Sequence, residues 1–98
     1  MTISSLPTIK SKSGGKLHSR IAREIGERIL GGEFAPGTLL PNEAAWGRIF
    51  NASRTAVREA IKSLSAKGLI SSRTKVGSRV EPKMRWNLLD REVLAWNR

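Results

Sequence analysis

Two helical periodicities separated only by Asn51 and Ala52 limit the folds open to this chain more than any other feature. In PNEAAWGRIF, Asn42 is a fair N-cap, and Ala45, Trp46, Ile49 and Phe50 recur at helical spacing. In SRTAVREAIKSLSAKGLI, Ser53 caps a second short helix. Its Val57, Ile61 and Leu64 form an inward stripe with Ala60 as a small neighbour, and Gly68 is the expected stop. Directly afterwards residues 69–73 read as a strand, 74–77 as a loop and 78–81 as the returning strand, ended by Pro82. Two short helices on a tight link, followed at once by a hairpin, predict a mainly α fold with a small β-hairpin: a winged helix-turn-helix.

The flanks fit around that unit. Leu17, Ile21, Ile25 and Ile29 stand at four-residue steps with Ala22 beside them, an amphipathic helix that Gly31 and Gly32 end. Gly26 inside it costs about 1 kcal/mol against alanine and suits a close helix contact. Pro36-Gly37 marks a turn, and Thr38-Leu39-Leu40 is a short extended piece before Pro41. Residues 1–16, rich in Ser, Gly and Lys without periodicity, are expected as a mobile, disordered basic tail. PKMRW is a spacer, and in NLLDREVLAWNR the residues Leu89, Val93 and Trp96 repeat at helical spacing. The expected organisation is a tail over 1–16, a winged-helix domain over 17–81, and a linker with the start of a helix over 82–98.

Ninety-eight residues with 39% hydrophobic content allow one small domain with a compact core. Cysteine is absent, which excludes a disulfide framework, a thiolate metal site and a cysteine nucleophile. The single histidine, His18, makes no metal site alone. The N-terminus lacks the apolar core of a signal peptide, and no segment approaches the roughly 18 apolar residues of a membrane span. A cytoplasmic chain without a membrane partner is expected. Its charge is the outlying property: 18 Lys and Arg against 8 Asp and Glu give a net +10. That balance implies a polyanionic partner, nucleic acid first and an anionic membrane surface second.

Where the charge sits sharpens this. Arg54, Arg58 and Lys62 recur at four-residue steps opposite the apolar stripe, although like charges at that spacing repel. In a helix-turn-helix the second helix enters the DNA major groove and its N-terminal residues meet base edges. Ser53, Arg54, Thr55 and Arg58 are therefore placed at the groove. An arginine fork matches guanine O6 and N7, and also phosphate, while the free N–H groups at a helix start favour phosphate. Arg73, Lys75 and Arg79 cluster in the hairpin, where a wing meets the minor groove or its flanking phosphates. With Lys67, seven cations between residues 53 and 81 face two acids, Glu59 and Glu81; Glu59 is expected to pair with Lys62 or Lys67, or to face the first helix. Trp46 is a core residue, and Trp86 and Trp96 are packing residues.

GGEFAPGTLLPNEAAW, SRTAVREAIKSLSAKGLI and a glycine-containing wing resemble the N-terminal DNA-binding domain of the GntR superfamily of bacterial transcription regulators, over about residues 17–81. RWNLLDREVLAW resembles the connection into the all-helical effector domain of the FadR-type subfamily, especially its sugar-acid regulators. The resemblance implies a homodimeric regulator, usually a repressor, that binds inverted-repeat double-stranded DNA in the bacterial nucleoid. A small carboxylate bound in a C-terminal domain beyond Arg98 would release it, and the DNA-binding part needs no cofactor. Carried over by position, Arg54, Thr55 and Arg58 match the contacting helix and Gly77 the wing glycine. Two positions depart from the pattern. Ala44 stands where the family usually has a DNA-contacting arginine, a role Arg48 one turn later is placed to take. Thr74-Lys75 stands where an earlier wing glycine is usual, so the wing is expected to grip phosphate more than enter the groove.

Other functions fare worse. No paired carboxylates, Ser–His–Asp order, phosphate-cradling glycine loop or metal spacing supports an enzyme. A protein-interaction winged helix calls for an apolar or acidic recognition face, whereas this one is basic with hydroxyls. The deep, narrow A-form groove of RNA excludes a recognition helix. A membrane-surface helix needs the apolar face that the core already uses.

Overall fold

The structure, a computed structural model, describes residues 14–71 and 77–97. Helix α1 spans Gly14–Leu30 and starts three residues before the expected boundary at Leu17. The apolar stripe nucleates the helix, and extension by another turn is then easy because each added residue gains a backbone bond. The expected tail thus loses residues 14–16 to α1, and residues 1–13 lie outside the described part. Ile21, Ile25 and Ile29 are fully buried, with Ala22 beside them.

Helix α2, Glu43–Phe50, begins where Asn42 Oδ1 accepts from Ala45 N at 2.9 Å. It ends at Asn51, in the left-handed region at φ 52° and ψ 52°. Ala52 N then donates to Gly47 O at 2.9 Å, which closes the link within two residues. Helix α3, Arg54–Ala66, begins with Ser53 Oγ accepting from Ala56 N at 3.2 Å. Val57, Ala60, Ile61 and Leu64 face inward as the spacing predicts, and α3 packs chiefly on α1 with α2 across its side. Burying each large aliphatic side chain there stabilises the domain by roughly 1.5–3 kcal/mol. Trp46 packs edge-on to Phe34 (centroids 6.4 Å apart) and tilted on Phe50 (5.5 Å). Its buried Nε1 has no hydrogen-bond partner among the described residues.

Strands β1, Ile70–Ser71, and β2, Arg79–Val80, pair antiparallel, with Ile70 opposite Val80 and Ser71 opposite Arg79. β2 is shorter than the expected 78–81, and β1 starts one residue after the expected Leu69. Residues 72–76, which include the rest of the expected first strand, lie outside the described part. The extended piece at 38–40 flanks β2 on its other side. Gly37 N donates to Val80 O at 2.8 Å, Val80 N to Thr38 O at 2.9 Å and Leu40 N to Ser78 O at 2.7 Å. β2 is therefore bonded on both edges. Gly77, at φ 102°, leads into it so closely that a Cβ there would sit 2.6 Å from Leu40 O. Only glycine meets both demands.

After a 3₁₀ turn at Lys83–Arg85, the chain returns to the domain as α4, Arg91–Trp96. Leu89 is not part of that helix and is 85% exposed. Asp90 starts the helix one residue later: its Oδ1 accepts from Glu92 N at 2.9 Å and Val93 N at 3.2 Å. Val93 and Trp96 are buried against α1. The close contact expected at Gly26 is made here, since a Cβ on Gly26 would lie 2.5 Å from the Trp96 ring.

Candidate nucleic-acid interface

The link at Asn51-Ala52 and the Ser53 cap fix where α3 begins, and its buried stripe fixes which side turns outward. Arg54, Thr55, Arg58 and Lys62 are all exposed on that side. Four-residue steps place the three cations in a file, each about 6 Å further along the axis. Ser53 Oγ and O accept from Ala56 N and Val57 N, so the first-turn N–H groups of Arg54 and Thr55 remain open beside the file. The Ser53 hydroxyl keeps its own proton to donate.

The cations are not equivalent. Arg58 Nη2 lies 3.5 Å from Glu43 Oε1, at the start of α2, and Lys62 Nζ lies 3.7 Å from Glu59 Oε2. Both pairs are largely exposed and long, hence weak tethers. Arg54 makes no ion pair among the described residues, and no acid stands in the first turn of α3. Glu59 thus pairs with Lys62, the first of its two expected partners.

Arg48 is exposed near the end of α2, one turn from Ala44. Arg79 is exposed on β2, but its Nη1 donates to Gly37 O at 3.0 Å, so it also braces the base of the hairpin. Gly77 is buried at that base. Arg73 and Lys75 lie outside the described residues. Lys67 leaves the file altogether: it caps the far end of α3, is 9% exposed, and pairs with Asp90 and Glu92. Sequence reasoning missed three partners: Glu43 of Arg58, and Asp90 and Glu92 of Lys67. Glu43 carried a usable signal, because it stands at the N-terminus of the helix preceding the contacting one. Among the described residues no cluster of His, Cys, Asp or Glu could hold a metal ion, and no helix is long and apolar enough to cross a membrane.

The chain matches known proteins over this same unit. The family model for bacterial regulatory proteins of the gntR family covers residues 17–80. The uncharacterised HTH-type transcriptional regulator YieP of Escherichia coli (strain K12) is 51% identical over 76 residues, 78% of this chain and 33% of YieP. The galactonate operon transcriptional repressor of the same strain is 42% identical over 77 residues, 79% of this chain and 34% of the repressor. The chain spans about a third of the length of these curated relatives. Among solved structures, AraR(DBD) in complex with operator ORE1 superposes with a TM-score of 0.63 at 30% identity, over 65% of this chain and 78% of that one. A capped helix pair, a hairpin and a basic outward face thus coincide with the matched span, and the chain belongs to the gntR family of bacterial regulatory proteins as a helix-turn-helix DNA-binding domain.

Proposed function

We propose that this chain reads operator DNA for a transcriptional repressor. The observation that carries the reading is the outward file of Arg54, Arg58 and Lys62 on α3, backed by a buried stripe and, among the described residues, without an ion pair at Arg54. Arg54 and Arg58 take base edges in the major groove, with Ser53 and Thr55 donating to bases or phosphate beside them. Arg48 and Lys62 hold the flanking backbone. Arg73, Lys75 and Arg79 meet phosphates from the wing, whose base Gly77 shapes. The chain performs no catalysis and needs no cofactor for this task, and it works on the nucleoid in the cytoplasm, away from membranes.

The intact regulator is a homodimer on an inverted repeat, in this reading, with residues 17–81 as one half-site reader. A relative named for the galactonate operon supports a small carboxylate, of the sugar-acid class, as the effector that releases DNA. Its site falls in the part of the relatives' length that this chain does not span. Joining two readers raises avidity by about 10²–10⁴ without any new contact. The 98-residue chain alone should accordingly be monomeric at micromolar concentration and weak on a palindrome.

Selection from a random-sequence duplex pool with this chain tests the reading. Enrichment of a short common element, whose binding weakens steeply with salt, is the expected result. Equal retention of single-stranded and shuffled duplex pools would overturn it.

A further inference from the structure

We infer that Lys67 is a positioning residue for DNA recognition: through Asp90, Glu92 and Trp96 it fastens residues 82–97 to the C-terminal end of α3, making that strap part of the DNA-reading unit although it lies beyond the family match. The inference rests on the reading of α3 as the contacting helix.

Lys67 is tied from both its ends. Its Nζ lies 2.8 Å from Glu92 Oε1 and 3.6 Å from Asp90 Oδ2, and 5.8 Å from the centroid of the Trp96 ring. Its carbonyl accepts from Asn87 N at 2.8 Å, and its N–H donates to Ser63 O at 3.1 Å inside α3. An ammonium group so little exposed requires compensation, and here two carboxylates answer one cation. Lys67 is thus occupied by protein carboxylates and is not offered to phosphate. The same strap inserts Trp96 over Gly26 of α1 and buries Val93. It therefore bears on α1 and α3, which pack chiefly on each other, and its grip on α3 is made at the residue that ends the helix. Base contacts at Arg54 and Arg58 demand a helix held within about 0.5 Å of its working position. A latch at the far end of α3 restrains the tilt on which that placement depends.

The test uses the 98-residue chain, the duplex it enriches from a random pool, and a shuffled duplex of equal length. Asp90→Asn with Glu92→Gln raises the net charge by two. Charge alone would tighten binding to both duplexes and leave their ratio unchanged. A latch predicts at least a fivefold fall in the selected-to-shuffled ratio, while shuffled binding holds or tightens. Lys67→Met should lower the ratio similarly with an unchanged salt slope, because no phosphate contact is lost; a phosphate ligand would take about one unit off the slope. Amide exchange should accelerate in α4 in both variants. The acids are surface groups, so their variant remains informative if Lys67→Met fails to fold. Arg54→Ala is measured alongside. A ratio lost in Arg54→Ala but kept within twofold in the acid variant overturns the latch alone. A ratio unmoved in Arg54→Ala overturns the α3 reading and the latch with it. A salt slope lowered by one unit in Lys67→Met makes that residue a DNA ligand and ends the inference.

Discussion

The two ends of α3 use positive charge in opposite ways. Arg54 and Arg58 stand in its first two turns, where the helix dipole favours anions, and no acid accompanies them in the first turn. Lys67 stands at its C-terminal end, where the dipole favours a cation, and is matched by two carboxylates at 2.8 and 3.6 Å. The first arrangement costs the isolated helix a few tenths of a kcal/mol or more and makes sense with a polyanion present. The second stabilises the domain without any ligand. A cation's task is thus set by what faces it, and one helix can carry both kinds.

The contrast is most open to breakage at the strap. Trp96→Ala should cost about 3 kcal/mol of stability in urea unfolding, because it empties the notch at Gly26. A loss below about 1 kcal/mol would show that α4 is a loose appendage and that the two ends of α3 differ less than described.

At the other end, Arg54→Ala should leave stability within about 0.5 kcal/mol of the parent and weaken the selected duplex by about 1–3 kcal/mol. The shuffled duplex should lose less. Equal losses on both would make Arg54 a phosphate clamp.

Arg58 sharpens the comparison because it is intermediate, exposed yet tethered to Glu43 at 3.5 Å. Glu43→Gln releases the tether and removes a charge that repels DNA. Binding should tighten by up to about 1 kcal/mol at low salt and return to the parent value at high salt. Weaker binding in that variant would mean that Glu43 aims Arg58 rather than competing for it.

The smallest effect concerns Asp90. Burial pushes its carboxyl up, but the N–H groups of Val93 and Glu92 and the charge of Lys67 outweigh that and hold it below the usual carboxylate range. A depressed folded value means the stabilisation is complete above the unfolded pKa of about 3.9 and fades as pH falls through the folded one. Asp90→Asn should flatten the acid limb of the stability profile below about pH 4 without changing the limb above neutrality. An identical acid limb in parent and variant would remove Asp90 from the latch.

Much of this was legible because it is local. Caps at Asn42 and Ser53, the stop at Gly68 and the stripe at Val57, Ile61 and Leu64 each depend on residues within one or two turns. The face of Lys67 was legible in part. At 100° per residue it lies roughly 140° beyond Lys62, well outside the arc of Arg54, Arg58 and Lys62. Its partners were not, because Asp90 and Glu92 reach it only after the chain turns back across α1, and no local rule encodes that return. Leu89 misled for the opposite reason: its spacing to Val93 fits a helix, but Asp90 between them caps one. β2's second neighbour at 38–40 was visible only as an extended piece, since pairing across forty residues has no signature in spacing.

Three tryptophans in three surroundings also make the molecule its own optical probe. Trp46 sits in the core against Phe34 and Phe50, its N–H without a partner among the described residues. Trp86 donates to Glu81 O at 2.9 Å and is half-buried, while Trp96 lies beside the Lys67 ammonium group. A desolvated indole emits at shorter wavelength than a hydrogen-bonded one, so Trp46 should supply the blue edge of the fluorescence spectrum. Trp96 should report release of the strap as a red shift at denaturant concentrations where the blue edge is still intact. Single Trp→Phe variants would separate the three signals and let undocking of α4 be watched apart from melting of the helix pair.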